Sequence, residues 1–310
     1  MVRVAGKPIL GHILDGFIET AVEEIVIVVG VMRKHVEEYV IDAFGDDFEV
    51  TFVEQSETEG LGHCVYQTRE LVEGDSICIA LGDMLFDRGY GEFLEAHDHL
   101  GDVSGSIGVK RVEEPTNYGV VTVDDDGGIT RLIEKPDEPQ SDLAISGIYI
   151  VENTPALFEA IQHLLENDLR GSGGEYQLTD AFQRMVDQGV SLGTFEVADW
   201  YDCGRPETLL DANRLLLKQT ESPSDDSNQG ILIPPVDIGR KVTIERSVVG
   251  PFVSVDDGVT IRDSRIRDGI VGRDATLWDV NLSETIVGEK SIVKGSPTHL
   301  NVGDSSEVDL

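Results

Sequence analysis

A chain of 310 residues that is 40% apolar has enough material to bury a sizeable core in one large domain or two smaller ones. Its 59 Asp and Glu against 24 Lys and Arg give a net charge of -35, which excludes nucleic acid and anionic membranes as partners. No run approaches the roughly 20 apolar residues of a membrane span, and the N-terminus lacks the apolar core and cleavage site of a secretory leader, so a cytoplasmic location is the default expectation.

Residues 8 to 21 have the spacing of an amphipathic helix, with Ile9, Ile13, Leu14, Phe17 and Ile18 on one face. Glu24-Ile-Val-Ile-Val-Val-Gly30 is a continuous apolar run, the pattern of a buried parallel strand. A helix at 33 to 43, a strand at Glu49-Val-Thr-Phe-Val53, a helix at 61 to 71 and an apolar strand at Ser76-Ile-Cys-Ile-Ala-Leu81 follow. This alternation predicts a parallel sheet covered on both faces. Nothing but Met1-Val-Arg-Val4 stands before the first helix, so the first βαβ unit reads as open at its beginning.

Further on, Gly119-Val-Val-Thr-Val123 and Ile129-Thr-Arg-Leu-Ile133, joined by Asp124-Asp-Asp-Gly-Gly128, predict a hairpin. A strand at 143 to 151 and helices at 155 to 166, 177 to 187 and 206 to 219 come next. Residues 219 to 230 are polar and rich in breakers, the clearest linker. Beyond it Val248-Val-Gly-Pro, Ile270-Val-Gly-Arg and Ile286-Val-Gly-Glu recur. Branched apolar residues about every six positions, with glycines at corners, predict a parallel β-helix of hexapeptide turns. A small β-sandwich is the alternative, but it would alternate with period two. Residues 296 to 310 read as a tail. The three cysteines (Cys64, Cys78 and Cys203) have no metal-ligand spacing and read as reduced core thiols. The acidic excess is spread over the whole chain between regular apolar segments. That distribution fits a folded protein adapted to concentrated salt better than a disordered acidic one.

Two carboxylates stand out by position. Asp83 follows Ile79-Ala-Leu-Gly82 at the C-terminal end of a buried strand, where open α/β sheets place ligands. Asp202, in Trp200-Tyr-Asp-Cys-Gly204, sits in a glycine-bounded turn before a helix. Converging there they would suit Mg²⁺ with phosphate oxygens; taken singly, each could equally cap a helix or turn. Lys135 ends the hairpin in Glu134-Lys-Pro136, with the proline expected to hold its backbone extended. It could grip a phosphate or be an ordinary exposed lysine. Gly60-Leu-Gly62 opens a helix and would let a ligand approach closely. Glu175 could bind hydroxyls or belong to a helix start, and His63 in the first turn of its helix reads as structural.

Taken together and in order, Gln55…Gly60-Leu-Gly-His63, Leu81-Gly-Asp83, Tyr118-Gly-Val-Val121, Glu134-Lys-Pro136, Ser146-Gly-Ile-Tyr149, Gly174-Glu-Tyr-Gln-Leu-Thr-Asp180 and Trp200-Tyr-Asp-Cys-Gly204 resemble the sugar-1-phosphate nucleotidyltransferases. Within them the chain looks most like the long form of glucose-1-phosphate thymidylyltransferase. The resemblance implies a Rossmann-like domain of mixed, mainly parallel sheet, lacking its first strand, followed by a short left-handed parallel β-helix. It implies an in-line displacement in which the phosphate of a sugar 1-phosphate attacks the α-phosphorus of a nucleoside triphosphate (dTTP or UTP) and pyrophosphate leaves. By the same resemblance Asp83 and Asp202 would hold Mg²⁺, and Lys135 would bind and orient the sugar phosphate. Gln55 and Gly60 would contact the base, while Gly119, Glu134, Gly147 and Glu175 would line the sugar pocket.

The family opens with a strand and a glycine-rich loop whose Arg and Lys neutralise the triphosphate. Neither lies within residues 1 to 310, in agreement with the open βαβ unit. The expected organisation is a nucleotidyltransferase domain at 1 to 218, a linker at 219 to 230, a β-helix at 231 to 295 and a tail. A homo-oligomer assembled through the β-helix is expected. Two other readings stand beside the enzyme. One is a non-catalytic relative that binds sugar phosphates; the other, weaker, is an acyltransferase on a β-helix of about three coils whose one histidine is His299.

Overall fold

The computed structural model describes residues 3–30, 33–86, 89–198, 200–220 and 229–295. Contacts group them into two compact units, Ile9–Asp202 and, separately, residues 3–8 with the chain after Cys203. The division falls upstream of residue 218, while the tail and most of the expected linker lie outside the described residues. Among the described residues no helix is long and apolar enough to cross a membrane.

A short hairpin, β1 (Arg3–Val4) and β2 (Lys7–Pro8), comes first and belongs to the second unit. The first unit then runs α1 (Ile9–Asp15), β3 (Glu24–Val29), α2 (Arg33–Phe44), β4 (Glu49–Glu54), α3 (Leu61–Tyr66), α4 (Arg69–Val72), β5 (Ile77–Ala80), β6 (Met84–Phe86) and α5 (Tyr90–Asp98). It continues with β7 (Gly105–Arg111), β8 (Gly119–Val123), β9 (Ile129–Glu134), β10 (Leu143–Val151), α6 (Thr154–Glu166), α7 (Leu178–Asp187), β11 (Gly193–Glu196) and β12 (Trp200–Asp202). Helix α1 is shorter than the expected 8-to-21 helix. Gly16 and the turns after it end the helix, and Ile18, expected on its apolar face, is exposed.

The central six-stranded sheet is mixed: β7 runs parallel to β11, whereas β10 is antiparallel to β5, β7 and β8, and β8 to β9; β3 and β4 form a separate parallel pair. Two helices close the core over this sheet. The side-chain oxygen of Asn153 accepts from the Ala156 N–H and caps α6, whose Leu157, Phe158, Ile161 and Leu164 recur at helical spacing and are buried. Helix α7 buries Leu178, Ala181, Phe182 and Met185, with Phe182 stacked on Tyr149 of β10. Each fully buried side chain of this size contributes about 1.5–3 kcal/mol.

The first two strands are treated differently. Among the described residues β3 pairs with β4 alone and β5 with β10 alone, so one edge of each apolar strand is open. Ile25–Val28 and Ile77–Ala80 are only half-buried, in contrast to β10, which is buried throughout. The Tyr90 hydroxyl, coupled electrostatically to Cys78 of β5, is buried without a hydrogen-bond partner among the described residues. The Cys78 thiol, half-buried and not in the core as expected, is pushed up to about 12 by the protein around it.

In the second unit α8 (Pro206–Gln219) precedes β13 (Gln229–Leu232), β14 (Val236–Ile238), β15 (Thr243–Val249), β16 (Val253–Val255), β17 (Thr260–Arg262), β18 (Arg265–Val271), β19 (Thr276–Trp278), β20 (Asn281–Val287) and β21 (Ile292–Lys294). These strands stack in parallel as three columns. One aligns Ile231, Val248, Arg265 and Asn281; the second Val236, Val253, Gly269 and Thr285; the third Thr243, Thr260, Thr276 and Ile292. The β-helix therefore has about four coils, one more than expected, each of 16 or 17 residues. Its first coil, built on Ile233-Pro-Pro235, carries none of the recurring Val-Gly corners that mark the others. Val253, Val255, Val259, Ile261, Ala275 and Leu277 fill the interior.

Many of the acidic residues here have a conformational role. The corners Arg246, Asp263 and Asp279, and likewise Phe252, Asp268 and Glu284, all have φ near +50°. Asp adopts this left-handed region more readily than most residues, and Asp263 is bridged by Arg246 one coil away at 2.7 Å. Helix α8 joins the β-helix through Asn213, whose amide donates to the Phe252 carbonyl and accepts from the Ser254 hydroxyl, and through an Arg214–Asp268 ion pair.

Candidate active site

The site residues of the first unit fall into three linked groups. The first lies where β10 changes neighbours. Leu143 and Ala144 run beside β8, whereas Ile148–Val151 run beside β5, and the ladder to β7 slips between Ile145 and Tyr149. Gly147 sits at this change with φ of 84°, and a Cβ there would stand 2.8 Å from Leu81 Cδ1. The Leu81 N–H donates to the Gly147 carbonyl at 3.3 Å, so Gly147 lies against the segment that leads from β5 to Asp83. A crevice at the carboxyl ends of such strands is where open α/β sheets bind ligands.

Asp83 follows β5, and Asp202 ends β12. Sequence reading placed Asp202 in a turn; instead it is the last residue of a strand paired with β6, opposite Met84. Crowding by surrounding protein, and then the neighbouring Asp202 charge, raise the Asp83 carboxyl above its ordinary value, partly offset by a hydrogen bond from its own backbone. The side chain still reaches solvent. Two mutually repelling carboxylates suit a divalent cation, which would relieve the repulsion. Among the described residues no group of three His, Cys, Asp or Glu converges as a metal site. Two carboxylates fit Mg²⁺, which takes its remaining ligands from phosphates and water, better than zinc or calcium.

The second group sits on β8 and β9. Gly119 pairs with Glu134, and a Cβ at Gly119 would meet Glu134 Oε2 and Ile145 Cδ1, each at 2.9 Å. Glu134 Oε2 accepts from the Thr179 hydroxyl at 2.7 Å. Asp180 is nearby: burial, then the Glu134 charge, raise its carboxyl. Lys135 is exposed, and its N–H donates to the Tyr118 carbonyl at 3.1 Å. Its φ of 44° is left-handed, not the extended backbone expected before a proline. Closing the β8–β9 ladder through that hydrogen bond outweighs the local preference, and unusual backbone of this kind is concentrated at functional positions.

The third group joins two distant segments. The Gly62 N–H donates to the Tyr176 carbonyl, and the Tyr176 N–H to the Glu59 carbonyl, both at 2.8 Å. Gly60, with φ of 108°, is pressed against Glu175 and Tyr176, which places both beside the start of α3. Gln55 follows β4 with its N–H donating to the Val29 carbonyl at 2.9 Å, and its side-chain Nε2 lies 3.3 Å from His63 Nδ1. Thr179 and Asp180 were not singled out in the sequence as site residues, nor were Glu59 and Gln67 beside His63. Glu59, His63 and Gln67 do stand four residues apart, a legible spacing that brings Glu59, just before α3, and Gln67, just after it, to His63.

With this geometry in place, comparison with known proteins assigns the chain. The model of the nucleotidyl transferase family matches residues 1–219. The low-salt glycan biosynthesis nucleotidyltransferase Agl11 of Haloferax volcanii is 33% identical over all of this chain and 93% of its own length. Glucose-1-phosphate thymidylyltransferase of Streptomyces griseus is 29% identical, again over the whole chain and 93% of the relative. The crystal structure of UDP-glucose pyrophosphorylase complexed with UDP-glucose shares the fold, with a TM-score of 0.60 and 22% identity over 71% of this chain and 90% of that one. The chain belongs to the sugar-1-phosphate nucleotidyltransferase family.

Proposed function

We propose that this protein transfers a nucleotidyl group from dTTP or UTP to a sugar 1-phosphate, with glucose 1-phosphate the preferred acceptor, and releases pyrophosphate. The observation that carries the reading is the juxtaposition of Asp83 and Asp202 beside the Gly147 crossing of β10. Mg²⁺ held there would neutralise phosphate oxygens and so ease attack on the α-phosphorus. Asp83 and Asp202 would fix it at the strand ends. Lys135 would bind the sugar phosphate and aim one of its oxygens in line with the departing pyrophosphate. Glu134, oriented by Thr179, and Glu175 would accept hydrogen bonds from sugar hydroxyls. Gly119 and Gly147 would leave room for the ring.

The name of the Streptomyces griseus relative supports glucose 1-phosphate and thymidine.

Pyrophosphate release in molar salt with Mg²⁺, glucose 1-phosphate and either nucleotide tests the reading. Lys135→Ala is expected to lower kcat/KM about 10²–10³-fold, the scale of losing one charged group aimed at the reacting centre. Unchanged turnover would remove Lys135 from the mechanism. No activity with either nucleotide in folded protein would favour a non-catalytic sugar-phosphate-binding relative.

A further inference from the structure

The β-helix differs from the rest of the chain in its charge. Residues 229 to 295 hold nine Lys and Arg against ten Asp and Glu, so almost all of the net charge of -35 lies outside them. Two copies of this chain repel one another everywhere except here.

One face of the β-helix departs further still. In its first column Leu232, Val249, Ile266 and Leu282 pack into the interior, so the residues on either side of each point outward. Those outward positions are Ile231 and Ile233 in the first coil and Val248 in the second. Arg265 and Arg267 take them in the third coil, and Asn281 and Ser283 in the fourth. This strip carries no carboxylate, in a chain with 59 Asp and Glu. Ile231 is 61% exposed and Ile233 38%. Both arginines are exposed and lack a carboxylate partner among the described residues, and Arg267 donates only to Ser283 Oγ at 3.0 Å.

Carboxylates stand instead at the corners that flank the strip. Asp263 and Asp268 are already paired, with Arg246 and Arg214, whereas Asp279 and Glu284 are exposed and have no ion pair among the described residues. The strip and its corners therefore complement themselves. When two strips meet with each coil against the same coil, the isoleucines pack on their counterparts. Arg265 and Arg267 then reach corner carboxylates of the other copy. The reversed orientation would set Ile231 and Ile233 against Asn281 and Ser283. An acidic peptide would pair the arginines but leave the corner carboxylates unpaired.

We propose that this strip is the surface on which a second copy of the chain docks, with the two β-helices parallel and related by a rotation axis along their length. The proposal does not depend on the reaction described above. Aliphatic and Arg side chains desolvated at the centre of the contact would supply its affinity.

Light scattering and sedimentation of the 310-residue protein in molar salt, from about 1 to 100 μM, test it. The parent is expected to contain more than one copy. Ile231→Glu combined with Ile233→Glu is expected to raise the dissociation constant at least about tenfold. Both side chains face solvent, so the melting temperature should stay near that of the parent. Trp278→Glu, exposed on the third column, should leave assembly unchanged. Ile231→Cys is a milder change that keeps the question open to test should the double variant unfold. It should form a disulfide between copies on oxidation, which the parent should not, because only the parallel orientation brings the two positions together. A parent that stays monomeric throughout, or a folded isoleucine variant that assembles like the parent, would overturn the proposal. So would dissociation by Trp278→Glu, or assembled Ile231→Cys protein that does not cross-link.

Discussion

Replacing Asp83 by asparagine is expected to lower nucleotidyl transfer about 10²–10³-fold, the scale of removing one preorganised electrostatic contact, and at the same time to stabilise the metal-free protein at neutral pH. Both effects come from one arrangement. Asp83 is crowded by protein and faces Asp202, so its carboxyl is raised above the ordinary value of 3.8. An acid whose pKa is raised by folding binds protons more tightly in the native state than in the unfolded chain. Its favourable contribution is fully present below the ordinary value and is lost as pH rises through the raised one. In the metal-free protein, the Asp83 contribution to melting temperature should therefore fall as pH increases from about 4 through the raised pKa, in the range where protons leave Asp83. Asp83→Asn should flatten that part of the curve. Adding Mg²⁺ should raise the melting temperature of the parent protein and move the variant little, because a ligand stabilises only the state that binds it. Melts across pH in chelator and in Mg²⁺, beside pyrophosphate release, check every step. A variant that keeps full activity would remove Asp83 from the metal site. A difference in melting temperature between parent and variant that does not grow over that pH range would contradict the raised Asp83 carboxyl.

Gly60→Ala should cost about 2–5 kcal/mol of stability in the first unit, from two penalties that add. The backbone at Gly60 has φ of 108°, a region that L side chains rarely adopt. A Cβ there would also stand 2.7 Å from the Tyr176 carbonyl oxygen, 2.9 Å from the Tyr176 nitrogen and 2.8 Å from Glu175 Cβ. Two of those three neighbours are backbone, which cannot swing away as a side-chain tip can. The displaced strip is the one that hydrogen-bonds Gly62 and Glu59, so the change should reach Gln55 on one side and Glu175 on the other. Affinity for nucleotide and for sugar phosphate should fall together. Denaturant unfolding and separate binding titrations test this. Loss of nucleotide affinity alone would mean that Gly60 serves the base and not the joint between the two segments.

What was legible in the sequence follows from the range of the interactions involved. β3 and β5 are continuous apolar runs and α6 and α7 keep strict helical spacing, so their existence and type could be read locally. β7 is Gly-Ser-Ile-Gly-Val-Lys-Arg, and its two glycines and serine hide a strand that is stabilised by pairing with β10 and β11 on its two sides. β6 and β12, three residues each, exist because they pair with one another, so neither could be found alone. The β-helix was recognised from its recurring Val-Gly corners; its first coil, with prolines in their place, fell within the expected bounds of 231 to 295 but was not counted as a coil.

The candidate site divides along the same line. Position in chain order was enough to single out Asp83 after an apolar strand and Lys135 at the end of a hairpin, since strand ends and turns are short-range features. The sequence by itself thus determined the family, the order of the long apolar strands and helices, and the residue types available for phosphate chemistry. Only the tertiary structure decided that Asp202 stands opposite Met84 and within electrostatic reach of Asp83, that Gly60 is seated on Glu175 and Tyr176, and that Lys135 adopts a left-handed backbone. It also decided that His63 holds Gln55. Those relations join residues 8 to 119 positions apart, or set a ladder hydrogen bond against a local preference. Their energies come from packing and pairing that no window of sequence contains.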